Sequence, residues 1–229
     1  MRWLAVDRSS AHPGMAVFGG NGELLFGRAW DGDPTRAPEW IAELAQGLAE
    51  NGLVPKQVDG FICGLGPGSF SGIRACLSAL QGLALPDGKP VYGVASAAAL
   101  ALGQAEGAEC VTVIGDARRS RIWSVTYRVD AAAQRVRLYD GSTPTHTSDD
   151  FILTPADELE QAVPAGTRIV SSDWERLSGL LSGAFAVERL IAHAVFPKAT
   201  DLGRLALSEP AARVLEPLPV YLHPAVAEK

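Results

Sequence analysis

Gly64-Leu65-Gly66-Pro67-Gly68-Ser69-Phe70-Ser71-Gly72-Ile73-Arg74 follows a strand-like run, residues 58–63, and opens a helix-like one, residues 69–85. A glycine-rich loop entering a helix can hold phosphate on its free N–H groups. This one lacks the Gly-Lys-Ser/Thr of a nucleotide loop, and Pro67 removes one donor. The residues favour the plainer reading, a tight turn with Ser69 as helix cap. Neither Ser69 nor Ser71 has the flanking glycines of a nucleophile elbow, so a peptidase is not expected.

The helix after the loop is unusual in composition. Phe70, Ile73, Leu77, Leu80 and Ala84 recur at three- and four-residue steps, while Ala75, Cys76, Ala79 and Leu83 occupy other sides. Arg74 is the one charge across residues 69–85. A helix apolar all round must be covered all round, either by its own sheet and neighbours or by a second protein. Gly72 and Gly82 with Ala75 and Ala79 would let a partner helix approach closely. The expected contacts are Phe70, Ile73, Arg74, Leu77 and Leu80, with Trp40 and Leu44 on a neighbouring helix over residues 34–51.

Working outward, residues 2–6, 14–18 and 23–29 read as strands, the last two joined by the hairpin signal Gly19-Gly20-Asn21-Gly22. Residues 91–94 form another strand, and Ser96 is placed to cap an alanine-rich helix to about Gln104. A second passage repeats the pattern: strands at 111–115, 121–129, 135–139 and 168–170, helices at 157–163 and 173–181. A short helix at 201–207 precedes an extension punctuated by Pro217, Pro219 and Pro224. Strand meanders followed by alternating helix and strand predict mixed sheets with helices on their faces, in two similar halves.

The 229 residues are 47% hydrophobic and 20% charged, which suits one large domain or two small ones and excludes general disorder. A net charge of −6 gives no overall electrostatic reason to hold nucleic acid. Arg118, Arg119 and Arg121, followed by Arg128, Arg135 and Arg137, form a local basic exception that the balance favours reading as a solvated strand face. Cys63, Cys76 and Cys110 form no CxxC pair and read as small buried hydrophobes. His12, His146, His193 and His223 are too widely spaced for one helical face and are expected on surfaces or loops. Asp7 could ligate magnesium, but at a strand end it is expected to cap the following turn. No metal, cofactor or catalytic residue is nominated. The start of the chain turns charged too early for a signal peptide, and the apolar run at 70–85 is too short to span a bilayer, so a cytoplasmic location is expected.

The segment Gly66-Pro67-Gly68-Ser69-Phe70-Ser71-Gly72-Ile73-Arg74, continued by Gly82-Leu83-Ala84, resembles the signature of the TsaB (YeaZ) family. Leu4-Ala5-Val6-Asp7-Arg8-Ser9-Ser10, Val94–Ala101, Ile114-Gly115-Asp116-Ala117-Arg118-Arg119 and Pro219-Val220-Tyr221-Leu222 resemble further family segments in order and spacing. Arg8 and Ser71 stand where the family usually has Thr, and a Glu usual near Arg121 is missing. The resemblance implies an α/β, actin-like fold (Hsp70 and sugar-kinase superfamily, ribonuclease H-like) of two lobes with mixed sheets. The lobes would be residues 1–105, joined by a C-terminal helix at 200–215, and a smaller one at 106–199. It implies a non-catalytic subunit in making N6-threonylcarbamoyladenosine on tRNA. Such a subunit pairs with a TsaD homologue through helices 34–51 and 69–85, meets a TsaE homologue indirectly or transiently, and touches tRNA only through the complex. Alone, the same face would pair as a homodimer. The metal-binding HxxxH of TsaD has no counterpart among the histidines here. The alternative is a stand-alone actin-like ATPase or small-molecule kinase, against which Asp7-Arg8-Ser9-Ser10 offers no glycine for phosphate to approach.

Overall fold

The computed structural model describes residues 1–30, 39–210, 213–215 and 217–222. The first sheet opens with a meander of β1 (Arg2–Asp7), β2 (Gly14–Gly19) and β3 (Leu24–Ala29). After helix α1 (Trp40–Glu50), β4 (Gly60–Gly64) lies parallel to β1. Helix α2 (Phe70–Ala84) then leads to β5 (Val91–Val94), parallel to β4. The late strand β11 (Val214–Leu215) completes the order β11-β5-β4-β1-β2-β3. Leu4, Ala5 and Val6 of β1 and Phe61, Ile62 and Cys63 of β4 are all buried, as befits central strands covered on both faces.

The second sheet repeats the plan. β6 (Cys110–Arg118), β7 (Arg121–Asp130) and β8 (Arg135–Leu138) form an antiparallel meander, and β10 (Arg168–Ser171) adds parallel to β6. β9 (Ile152–Pro155) pairs with the start of β7. Each sheet is thus a meander with a parallel strand beside its first member, the mixed-sheet, two-lobe, actin-like plan. Helix α3 (Ser96–Gly103) packs on α6 (Ala199–Ser208) and on β6 and β7, buried from Ser96 to Leu102. α6 in turn packs on β1 and β2. A smaller second core joins Ile114, Ile122, Leu159, Ile169, Leu177 and Leu181 under α4 (Leu159–Ala162) and α5 (Trp174–Ala184).

Several boundaries differ from the sequence reading. The helix expected over 34–51 is described from Trp40 to Glu50, and residues 34–38 of that expectation lie outside the described residues. The helix expected at 157–163 is a single turn, α4, led in by a 3-10 turn at Ala156–Glu158. The helix expected at 200–215 ends at Ser208, because Pro210 bars helical backbone at Glu209 and cannot donate to a continuing turn; Val214 and Leu215 instead pair with β5. Ser96 does not cap α3. It is the first helical residue, with its hydroxyl turned to Asp7, as described below. Pro224 and His223 lie outside the described residues. Among the described residues no helix is long and apolar enough to cross a membrane.

Candidate docking groove and the loop that shapes it

Ser69 caps α2 as its position suggests, its Oγ accepting the Gly72 N–H at 3.2 Å. From there the helix turns one stripe, Ile73, Cys76, Leu77, Leu80 and Ala84, onto the first sheet. Cys76 Sγ lies 3.6 Å from Cys63 Sγ of β4 and 3.8 Å from the Val6 carbonyl of β1. This corrects the expected contact set. Ile73, Leu77 and Leu80 belong to the chain's own core, because their i, i+4, i+7 spacing is the stripe the sheet covers. Trp40 and Leu44 are buried as well, while Phe70 (56% exposed) and Arg74 face outward. The far side of α2 carries Ser71, Arg74, Ala75, Ser78, Gln81 and Gly82, small and polar rather than apolar.

What remains open is the seam between the two helices. Trp40, Ile41 and Leu44 of α1 face Ala79, Gly82 and Leu83 of α2 across an almost wholly apolar groove of about 150 Å³. Ile41 is 50% exposed on its rim, and a Cβ added to Gly82 would meet no atom within 4 Å. Near its head, the Arg8 guanidinium lies 4.6 Å over the Trp40 ring. Burial pushes its pKa down, offset in part by Cys76 and Glu43, and its Nε has no hydrogen-bond partner among the described residues. At the start of α2, Arg74 lies over the Phe70 ring (4.9 Å) and Phe70 packs against Tyr221 (5.4 Å). Sequence reasoning did not single out Arg8, Ile41 or Tyr221 as part of one surface. An apolar residue on the rim carries the same signature as one in the core, and Tyr221 arrives from a segment about 150 residues away.

The loop before α2 is welded to the turn after β1. The Ser69 N–H donates to the Ser9 carbonyl at 2.7 Å. A Cβ on Gly68 would sit 2.0 Å from that oxygen, and one on Gly72 would sit 2.3 Å from the Arg8 carbonyl, so both positions require glycine. Beneath them Asp7 is fully buried. Its Oδ1 accepts the Ser9 N–H (2.8 Å) and hydroxyl (2.7 Å), and its Oδ2 accepts the Ser96 hydroxyl (2.5 Å). Ser96 Oγ in turn accepts the Gly66 N–H at 3.0 Å. Burial pushes the Asp7 pKa up, with the hydrogen bonds from Ser96 and Ser9 working against it. Asp7 therefore caps the turn and staples β1, the 66–69 loop and α3 together, accepting three hydrogen bonds from the protein.

Elsewhere, no group of three or more His, Cys, Asp or Glu among the described residues could hold a metal. His12 and His193 are exposed. His146 lies in a loop, as expected, but is buried there, with Nδ1 accepting the Ala95 N–H at 3.2 Å, because its loop closes over the start of α3. Cys63 and Cys76 are buried hydrophobes, whereas Cys110 is half-buried. Arg118, Arg119 and Arg121 meet at the β6–β7 hairpin, while Arg128, towards the other end of β7, and Arg135 and Arg137 of β8 line an open groove of about 570 Å³.

A family model, TsaD: tRNA N6-adenosine threonylcarbamoyltransferase, matches residues 37–141, which span both groove helices and the loop. The chain is similar to YeaZ from Pseudomonas aeruginosa. That likeness has a TM-score of 0.75 at 26% sequence identity and covers 96% of this chain and 100% of YeaZ. A second solved structure, an uncharacterized protein with similarity to peptidase YeaZ from Pseudomonas aeruginosa, gives a TM-score of 0.77 at 26% identity. It covers 97% of this chain and 99% of that one. No curated protein matches the sequence. The YeaZ likeness runs through both sheets and leaves neither lobe unmatched.

Proposed function

We propose that this chain is a TsaB-type scaffold, a non-catalytic subunit that docks a TsaD-type protein for threonylcarbamoyl transfer to adenosine of tRNA. The observation that carries the reading is the open apolar seam between α1 and α2, in a chain similar to YeaZ end to end and matched by the TsaD family model across that seam. An apolar groove with an uncovered glycine at its mouth suits a partner helix. Trp40 and Leu44 form its inner wall, Ile41 and Leu83 its rims, and Phe70 and Arg74 continue the surface along α2. The buried Ile73, Leu77 and Leu80 hold α2 at the right height from below.

The scaffold would comprise two lobes, residues 1–105 joined by the C-terminal helix and residues 106–199. The turn after β1, where an actin-like ATPase would hold phosphate, is occupied here by the chain's own Ser9–Ser69 contact and by Asp7's three bonds. That favours a scaffold over a stand-alone ATPase or kinase. Without its partner the same groove would pair two copies, and a TsaE-type ATPase would join only the assembled complex.

The test is co-expression with the same organism's TsaD-type protein. An equimolar complex on size-exclusion chromatography, and tRNA threonylcarbamoylation that needs both chains, are the expected results. Modification that runs equally well without this chain, or tight ATP binding with turnover by this chain alone, would overturn the reading.

A further inference from the structure

Away from the groove, β6 turns into β7 through Arg119 and Ser120 alone. Arg118, Arg119 and Ser120 have φ of +66°, +53° and +59°, three consecutive non-glycine residues in left-handed backbone. Hairpin tips normally place Gly, Asn or Asp there, because a Cβ crowds the following carbonyl. This tip keeps two arginines and a serine instead. Asp116 offsets part of the strain, its Oδ1 accepting the Arg118 N–H at 2.7 Å, next to a register shift between Asp116 and Arg118.

The same carboxylate gathers charge around itself. Asp116 Oδ2 lies 3.3 Å from Arg118 and 3.5 Å from Arg176 of α5, and Arg176 lies 3.8 Å from Asp173. The Asp116 N–H donates to Asp173 Oδ2 at 3.0 Å, which fixes the two elements together. Arg118 and Arg176 thus pair with two carboxylates, Asp116 and Asp173, and Arg119 and Arg121 of the same hairpin add two further positive charges in a chain of net charge −6. All four arginines are exposed, Arg118 at 67% of its side chain, and no ion pair of Arg119 or Arg121 is found among the described residues. None of the large exposed apolar side chains lies between Asp116 and Arg121.

We propose that this tip is a phosphodiester-binding surface that contacts the sugar–phosphate backbone of RNA. The choice of RNA among polyanions rests on the tRNA-linked function proposed above. Guanidinium forks match phosphate oxygens two bonds at a time, and the Ser120 hydroxyl adds a neutral donor of the kind that positions a backbone. The hairpin tip itself offers a protein partner no exposed Trp or Tyr of the kind on which interface binding energy concentrates. Asp116 draws Arg118 and Arg176 to one carboxylate oxygen, and Arg119 stands in the two-residue turn between the strands.

The test is binding of a fluorescently labelled tRNA transcript to the intact chain over a range of salt concentrations, comparing the native protein with an Arg119→Ala/Arg121→Ala double variant. Each lost phosphate contact should lower the slope of log affinity against log salt by about 0.7–0.9. The double variant should therefore lose about 1.5 in slope and bind about tenfold more weakly at low salt. Arg119→Gly separates function from fold: glycine relaxes the left-handed backbone, so this variant should melt higher while binding tRNA more weakly. No tRNA binding by the native chain, or variants with unchanged affinity and slope, would overturn the proposal. So would poly-glutamate displacing the tRNA as well as unlabelled tRNA does, since that marks an acidic protein as the occupant. Pairing with the TsaD-type protein is measured on the same samples. Retained pairing with tRNA binding indifferent to the arginines sinks this inference alone; arginine-dependent tRNA binding without pairing sinks the scaffold reading alone.

Discussion

Gly82→Glu separates docking from folding more sharply than any other single change. Gly82 lies in the last turns of α2, where a new Cβ meets nothing within 4 Å, so the side chain enters without a clash. Exchanging glycine for a good helix former inside a helix stabilises by about 0.5–1 kcal/mol. For a chain of this length that raises Tm by about 1–4 °C. The new carboxylate stands at the mouth of a groove walled by Trp40, Ile41, Leu44, Ala79 and Leu83. Arg74, eight residues earlier on the helix, is about 12 Å away along the axis, too far to neutralise it. A partner seated over the groove would have to bury that charge unpaired, at a cost of about 3 kcal/mol or more. Affinity should then fall by about a hundredfold or more. The assay pairs thermal denaturation of the isolated variant with size-exclusion co-elution beside the TsaD-type protein. A variant that melts higher and no longer pairs supports the groove; one that pairs with native affinity refutes it. Leu80→Glu would not discriminate, because Leu80 is buried in the chain's own core and its loss of pairing would follow from unfolding.

Leu80→Ala should cost about 3 kcal/mol by leaving a cavity under α2, with or without a partner present; a loss below about 1 kcal/mol in urea denaturation would contradict its place in the core. Asp7→Asn tests the buried carboxylate. Its folded pKa is raised, so the native chain takes up that proton more readily than the unfolded chain, and Asp7's contribution to stability grows as pH falls through the folded value and shrinks as pH rises through it. Urea melts from mildly acid to neutral pH should show that the Asn variant loses this slope, and an identical pH profile would show that Asp7 does not titrate as described. Arg137→Ala breaks a two-pronged bond to Glu209 that ties β8 to the segment after α6. The Arg137 guanidinium holds the Glu209 pKa below the usual range, so the pair stabilises at neutral pH and fades as pH falls through the folded value. A loss of about 1 kcal/mol at neutral pH that disappears in acid is expected; a loss unchanged in acid would mean that packing, not charge, is involved.

Local pattern carried a good deal. The hairpin after β2, the cap at Ser69, the apolar stripe of α2 and the repeated meander can be read from residues a few positions apart, because turn chemistry and helical or strand period act over that range. The likeness of the loop and helix to one family was legible for the same reason, since its signature is one continuous run. Which side of α2 the sheet covers was not legible: Ile73 and Leu80 look no different in sequence from Ala79 and Leu83, and only the position of β1 and β4 beneath them makes the first pair core and the second groove.

The longest-range features belong to the tertiary structure alone. Asp7 meets Ser96 across 89 positions, and Asp116 meets Arg176 across 60. No period links such pairs, so their meeting follows from how the two sheets and α3 close on one another. The residue order by itself determined where strands, turns and helices form, since backbone preference and apolar spacing are local properties. The packed chain decided which apolar surface is left uncovered and which charges gather at one place, because burial depends on every element that comes to lie alongside.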